Sequence, residues 1–175
     1  MSTPSHIAVY GQTGSGKSTL GRKLGALARS NRRPLIVGTS AAADPQAWNF
    51  ADYVTTDGAD LARVIKKAAN AFVVIDEAWQ LLGNTGGKLT PLGENILTMR
   101  HRGNTCCILV QRPALISRTI RDQCGRLFTF RIGQDDADDL VKQYGHKELA
   151  KAASLPRGQY MTCTPWEGVK YGRVF

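Results

Sequence analysis

The stretch Gly11-Gln12-Thr13-Gly14-Ser15-Gly16-Lys17-Ser18 limits the fold more than any other part of the chain. It places G-x-x-x-x-G-K-[ST] directly after a short apolar run, His6 to Tyr10. It is followed by Leu20, Leu24 and Leu27 at helical spacing within residues 16–30. A strand that turns through glycines into a helix opens an α/β unit. Without Cβ atoms in the way, the loop's backbone N–H groups can curl round phosphate oxygens. The helix N-terminus at Gly16 adds unpaired donors and a favourable dipole. Lys17 supplies a point charge for β and γ phosphates, and the Ser18 hydroxyl is a ligand for Mg²⁺. Gly11 to Thr19 is therefore the candidate nucleotide-binding segment, with a glycine-rich turn carrying a chance lysine as the plainer reading.

Strand and helix signals alternate downstream. Pro34 to Val37, Tyr53 to Thr55, Phe72 to Ile75, Thr105 to Val110 and Leu127 to Ile132 read as strands, and unbroken apolar runs suit parallel strands buried on both faces. Helices are expected over residues 60–70, 114–123, 135–143 and 146–153. Another begins at Thr90-Pro91, a cap and first helical residue, and runs to about Arg100. Gly158 to Thr164 and Val169 to Val174, split by Pro165-Trp166-Glu167-Gly168, read as a terminal β-hairpin. The prediction is one α/β domain over residues 1–175, a mostly parallel sheet flanked by helices.

Composition narrows the function. The 175 residues carry 23 Lys plus Arg against 14 Asp plus Glu, a formal +9. Residues 1–70 hold 9 basic and 4 acidic side chains, residues 71–130 hold 7 and 4, and residues 131–175 hold 7 and 6. The excess is therefore no basic tail. It suits a folded surface that meets a polyanion, or a solvated basic surface without a partner. No apolar window reaches spanning length, so no transmembrane segment is expected. Met1 to His6 lacks the pattern of a secretory signal, so the chain is not expected to be secreted. Cys106, Cys107, Cys124 and Cys163 form no CxxC pair and read as buried free thiols in a reducing compartment. His6, His101 and His146 are scattered without metal-ligand spacing, so no zinc site is expected.

Two strand ends add chemistry. Phe72-Val73-Val74-Ile75 ends in Asp76-Glu77. Asp76 can hold a metal directly or through water, and Glu77 can polarise an attacking water. Two solvated acids closing a strand are the alternative. The strand ending at Val110 is followed by Gln111. In an open parallel sheet, ligands lie at the carboxyl ends of the strands. Gln111 would therefore lie near Asp76 and the γ-phosphate if its strand lies beside the first.

Together these residues resemble the FtsK–HerA superfamily of DNA-translocating P-loop ATPases, and within it the genome-packaging ATPases of tectivirus-type phages with internal membranes. The resemblance is carried by GQTGSGKST at 11–19, VVIDEA at 73–78, RHRG at 100–103 and LVQRPALI at 109–116, with Leu155-Pro156-Arg157-Gly158 leading into the closing hairpin. It spans about residues 6–174. One departure is Val110, where the family commonly has Thr before the Gln. The resemblance implies a P-loop NTPase fold of the RecA/ASCE kind with ATP and Mg²⁺ as cofactors. It implies Lys17 and Ser18 on nucleotide and Mg²⁺, Asp76 on Mg²⁺, Glu77 as catalytic base and Gln111 as sensor. An arginine finger from a neighbouring subunit is implied as well, with Arg100 and Arg102 in the matching region and Arg118 or Arg121 as further candidates. The implied partners are double-stranded DNA, a homo-oligomeric ring (a hexamer) and proteins of a capsid vertex. The implied location is host cytoplasm and virion.

DNA contact would have to come from surface loops, because no helix-turn-helix or zinc finger is visible. The candidate is Gly83 to Leu89, where Lys88 is the only charge. Repeated round a ring, that lysine would form a belt against phosphates without reading sequence. A plain surface loop is the alternative. Two other classes compete for the whole chain. A small-molecule kinase would use the same loop, but Asp76-Glu77 and the lack of an evident lid count against it. An assembly ATPase, like those of filamentous-phage morphogenesis in the same superfamily, would use nucleotide to scaffold virion export. No LSGGQ-like signature of an ABC ATPase is present.

Overall fold

The unbroken apolar runs become strands buried on both faces, as a computed structural model of the chain shows. The structure describes residues 5–83 and 87–175. Among these, eight strands form one sheet: β1 (Ile7–Tyr10), β2 (Leu35–Gly38), β3 (Tyr53–Thr55), β4 (Phe72–Ile75), β5 (Thr105–Val110), β6 (Arg126–Thr129), β7 (Gln159–Cys163) and β8 (Lys170–Arg173). Their order is β3-β2-β4-β5-β1-β6-β7-β8. The pairs among β1 to β6 are parallel, while β7 and β8 add on antiparallel as the closing hairpin. This is the mostly parallel α/β sheet expected of a P-loop NTPase.

The helices are α1 (Lys17–Ser30), α2 (Gly58–Lys67), α3 (Ala78–Leu82), α4 (Pro91–Thr98), α5 (Arg118–Arg121) and α6 (Gln134–Tyr144). Period-two alternation sends neighbouring strand residues to opposite cores. Ala8, Tyr10, Cys106, Ile108 and Val110 face the layer that holds Leu61, Ile65, Ile96, Met99 and Leu140 from α2, α4, α6 and the turn after α4. Val9, Cys107 and Leu109 face Leu20, Ala28 and Trp48 in the layer built on α1. Cys106 and Cys107 therefore point into different cores, and all four cysteines are buried and free. The central β1 lies between β5 and β6, so the loop that follows it is anchored by the best-covered part of the sheet.

Several local readings change. Leu27 reads as part of the apolar face of α1 but is 60% exposed, because the helix buries Leu20, Gly21, Gly25 and Ala28 instead. Residues 114–123 do not form one helix. Pro113–Leu115 makes a 3₁₀ turn, Ile116 is extended, and Ser117 caps the four-residue α5. Residues Lys147–Ser154 are a 3₁₀ run instead of an α-helix. The Thr90 cap forms as expected, with Gly93 N–H donating to its hydroxyl at 3.2 Å. Among the described residues, no helix is long and apolar enough to cross a membrane.

Candidate nucleotide-binding site

Parallel strands bring their carboxyl ends to one edge, and the sheet order decides which ends meet. β5 pairs with β1 on one side and β4 on the other. Gly11 follows β1 level with Gln111 after β5, while Asp76 follows β4 level with Leu109, two residues short of Gln111. Ser18, in the first turn of α1, reaches across and donates to Asp76 Oδ1 at 3.2 Å. Gln111 Nε2 donates to the Thr13 hydroxyl at 3.2 Å, tying the end of β5 to the loop. Residues 98 and 58 positions apart in sequence thus form one cluster.

The loop is a cradle by steric necessity. A Cβ on Gly11 would lie 2.6 Å from Ser15 Oγ and 2.7 Å from Phe130 Cβ. Gly16 has φ +115° and leaves room for Val174, whose Cγ2 would stand 2.6 Å from an added Cβ. Ser15 Oγ is buried without a hydrogen-bond partner. Lys17 is 6% exposed and donates to the Gln12 carbonyl at 3.3 Å. Burial lowers the Lys17 pKa, opposed by the carboxylates of Glu77 and Asp76. Burial likewise raises the Asp76 pKa, opposed first by its bond from Ser18. An ammonium and a carboxylate, each short of solvation, face one polar recess, the setting that suits a bound anion with its counter-cation. The donor set fits Mg²⁺, since Ser18 and Asp76 offer hard oxygens to one point.

Glu77 takes φ +51°, the left-handed region that a side chain enters at a cost of about 1 kcal/mol. This turn swings the chain out of β4 and starts α3 at Ala78. The Glu77 carboxylate accepts from Trp79 Nε1 at 3.2 Å. It lines a cavity of about 270 Å³ with Thr13, Gly14, Gly16, Lys17, Ser18, Thr19, Arg157 and Phe175. A second cavity, of about 480 Å³, lies between Gln12, Thr13, Gln111, Arg112 and the start of α6. Beside it Arg112 forks onto Asp136, with Nε at 2.9 Å and Nη2 at 3.4 Å.

The arginines of RHRG lie elsewhere. They precede β5, at the edge of the sheet opposite the loop. Arg102 donates to the carbonyls of Ala68 and Ile65, both at 3.2 Å, and so closes the end of α2. Arg100 donates to Gln123 Oε1 at 2.9 Å. Neither reaches the Lys17 cluster of its own chain. Arg118 has a side chain 85% exposed and only a loose pairing with Asp122 at 3.9 Å. Of the Gly83 to Leu89 segment, residues 84–86 lie outside the described residues; Lys88 is exposed and lines a small recess with Gly83, Gly87 and Ser117.

The sequence reading gave no site role to Arg157, Arg131 or Phe175. Yet Arg157 Nε donates to the Gly14 carbonyl at 3.1 Å, Gly158 N–H to Ser15 O at 3.2 Å, and Gln12 N–H to Arg131 O at 2.9 Å. The segment leading into the hairpin thereby braces the loop. The basic residue in Leu155-Pro156-Arg157-Gly158 was the available signal, but only the tertiary pairing brings it to the loop.

Sheet order and loop together define the P-loop NTPase fold. The comparisons agree. A family model described as zonular occludens toxin (Zot) matches residues 51–134. No curated protein matches the sequence. The genome-packaging NTPase B204 from Sulfolobus turreted icosahedral virus 2, solved with AMPPCP, is similar at 14% identity over 99% of each chain, with a TM-score of 0.78. The N-terminal domain of zonular occludens toxin from Neisseria meningitidis is similar at 21% identity, covering 73% of this chain and 77% of that one, with a TM-score of 0.54. VirB4 of Thermoanaerobacter pseudethanolicus is similar at 9% identity over 99% and 90%, with a TM-score of 0.69.

Proposed function

We propose that the chain is a Mg²⁺-dependent ATPase that moves double-stranded DNA, and that it packages a viral genome into a preformed capsid from a homo-oligomeric ring, a hexamer. The observation that carries hydrolysis is the placement of β5 between β1 and β4, which ties Gln111 to the loop through Thr13 and brings the end of β4, with Asp76, to Ser18. In this reading Gly11 to Thr19 bind the nucleotide, Lys17 neutralises the β and γ phosphates, and Ser18 and Asp76 hold Mg²⁺. The metal, when bound, supplies charge neutralisation for the phosphates. Glu77 orients and deprotonates the attacking water, and Gln111 senses the γ-phosphate through its tie to Thr13. What favours packaging is likeness over nearly the full length of both chains to a viral packaging NTPase, together with the formal +9 and its spread along the chain. The finger comes from a neighbour. Arg118 is the most exposed of the four candidates; Arg100 is held by Gln123 and Arg102 by helix α2, and Arg121 is half-buried. Lys88 meets DNA phosphates, and capsid vertex proteins receive the ring in the virion after assembly in the host cytoplasm.

The test is phosphate release with and without DNA. Lys17→Ala is expected to abolish turnover. Glu77→Gln is expected to keep ATP binding while turnover falls about 100-fold or more. Transfer of labelled γ-phosphate to a small hydroxyl compound would replace this reading with a kinase. Lys88→Glu is expected to reduce DNA stimulation and spare basal turnover; equal loss of both would remove the lysine from the DNA role. A second reading is an assembly ATPase of the same superfamily, which would use nucleotide to scaffold virion export. Turnover that ignores DNA in a fully active ring would select it.

A further inference from the structure

The cavity around Lys17 and Ser18 is lined by Glu77 and Thr13 and also by Thr19, Arg157 and Phe175. The Phe175 part of this lining is fixed by the chain after β8. Val174 is 5% exposed, its carbonyl accepts from Lys23 Nζ at 2.8 Å, and its side chain fills the space that Gly16 leaves. Phe175 is thereby held over the first turns of α1. Its ring packs on Gly158, where an added Cβ would stand 2.7 Å from the ring, and the Arg157 guanidinium lies 5.4 Å from the ring centroid. The same Arg157 is tied to the Gly14 carbonyl. Ring, guanidinium and phosphate loop therefore form one connected wall, yet Phe175 remains 61% exposed. A large apolar ring propped from behind and open in front, at the mouth of a polyphosphate recess, offers a flat aromatic face.

We infer that Phe175, backed by Arg157, is the stacking platform for the nucleobase. The inference rests on the nucleotide reading above and adds how the base is bound. A triphosphate whose terminal group lies toward Glu77 would carry its ribose and base toward Thr19 and Phe175, which line the same cavity. A cavity lined by Gln12 to Ser15, Arg131, Pro156 and Arg157 also touches the loop, but it includes neither Lys17 nor Ser18. Stacking uses the π face common to every base and reads no hydrogen-bonding edge. The site consequently tolerates purine exchange, with ATP and GTP affinities within about tenfold of each other, and Phe175 contributes to both.

Calorimetry with three Mg²⁺-loaded probes separates this inference from its foundation: ATP, GTP and inorganic tripolyphosphate. In Phe175→Ala, ATP and GTP are expected to bind at least about fivefold more weakly, by the usual cost of losing a base–aromatic stack. Tripolyphosphate, having no base, is expected to bind as in the unaltered chain, which also reports an intact fold. Phe175→Trp is expected to restore ATP and GTP affinity. If Phe175→Ala keeps ATP affinity while tripolyphosphate still binds, the base lies elsewhere and the platform is refuted. Binding of neither ATP nor tripolyphosphate by the unaltered chain would overturn the nucleotide reading and the platform with it.

Discussion

His6 shows how much a single side chain can do at a position that reads as no more than the start of a strand. Its Nδ1 accepts the Cys106 N–H at 3.1 Å and its Nε2 donates to the Ile96 carbonyl at 2.7 Å. The ring is fully buried and joins β1, β5 and α4. It works only as the neutral tautomer, because a protonated Nδ1 would face a donor. Burial, aided by the nearby Arg100, lowers its pKa from 6.5 to about 4, with the Ile96 bond opposing. The folded state thus resists protonation that the unfolded state accepts. Stability from this group is complete above pH 6.5 and is lost as pH falls toward 4. The loss amounts to about 3 kcal/mol for a shift of this size. Denaturant unfolding of the chain and of His6→Gln at pH 7 and pH 4.5 checks this: the parent should lose clearly more stability than the variant, and parallel losses would exclude His6. The partners lie 90 and 100 residues away, so no local pattern could reveal the lock. Lys17, Ser18, Asp76 and Glu77 were legible because loop chemistry and strand ends are local signals. The left-handed backbone of Glu77 was not, since a positive φ is usually marked by Gly or Asn and Glu carries no such mark.

At the scale of elements, the strands were legible because burial on both faces demands unbroken apolar runs, as in Phe72-Val73-Val74-Ile75. The helices after β5 were not. Leu115, Ile116 and Ile120 sit at near-helical spacing, but Ile116 is extended and Ser117 begins a new turn by accepting from Ile120 N–H at 3.3 Å. Tertiary packing overrode periodicity there. Sheet order was also out of reach of local pattern, although it is what brings Gln111 to the loop. The close seat of α1 on the sheet depends on missing side chains, at Gly25 against Leu35 and most tightly at Gly21. A Cβ on Gly21 would lie 2.7 Å from Leu109 Cδ2 and 3.4 Å from the ring of Trp48, both fully or almost fully buried. Gly21→Val would force the helix off β5, with a cost of about 1–3 kcal/mol for overpacking. It also carries the loop away from Asp76, so the urea midpoint and ATP affinity should fall together. A lowered midpoint with unchanged affinity would show that the loop is held by the hairpin side alone.

For the whole molecule, the sheet keeps the arginines that bear on the site on separate surfaces. Arg157 stands at the loop edge and lines the phosphate recess. Arg100 and Arg102 stand at the far edge, bonded to Gln123 and to the end of α2. Arg118 projects from a third surface, next to the residues that line the recess with Lys88. A protomer therefore cannot bring its RHRG arginines to its own phosphates, and any contribution from them or from Arg118 must cross to a neighbour. A finger in trans predicts complementation. Lys17→Ala keeps the finger but has a dead site; Arg118→Ala keeps its site but has no finger to lend. Each alone should show little turnover, because an arginine finger is worth about 10³-fold or more in rate. Mixed before assembly, they should regain a substantial fraction of turnover at interfaces where an intact site meets an intact finger. The same mixing with Arg100→Ala or Arg102→Ala tests the far-edge arginines, whose loss is expected to act through the fold and to resist rescue. If no mixture regains turnover while Arg157→Ala alone removes it, charge neutralisation is supplied within the protomer and the catalytic site is complete without a neighbour.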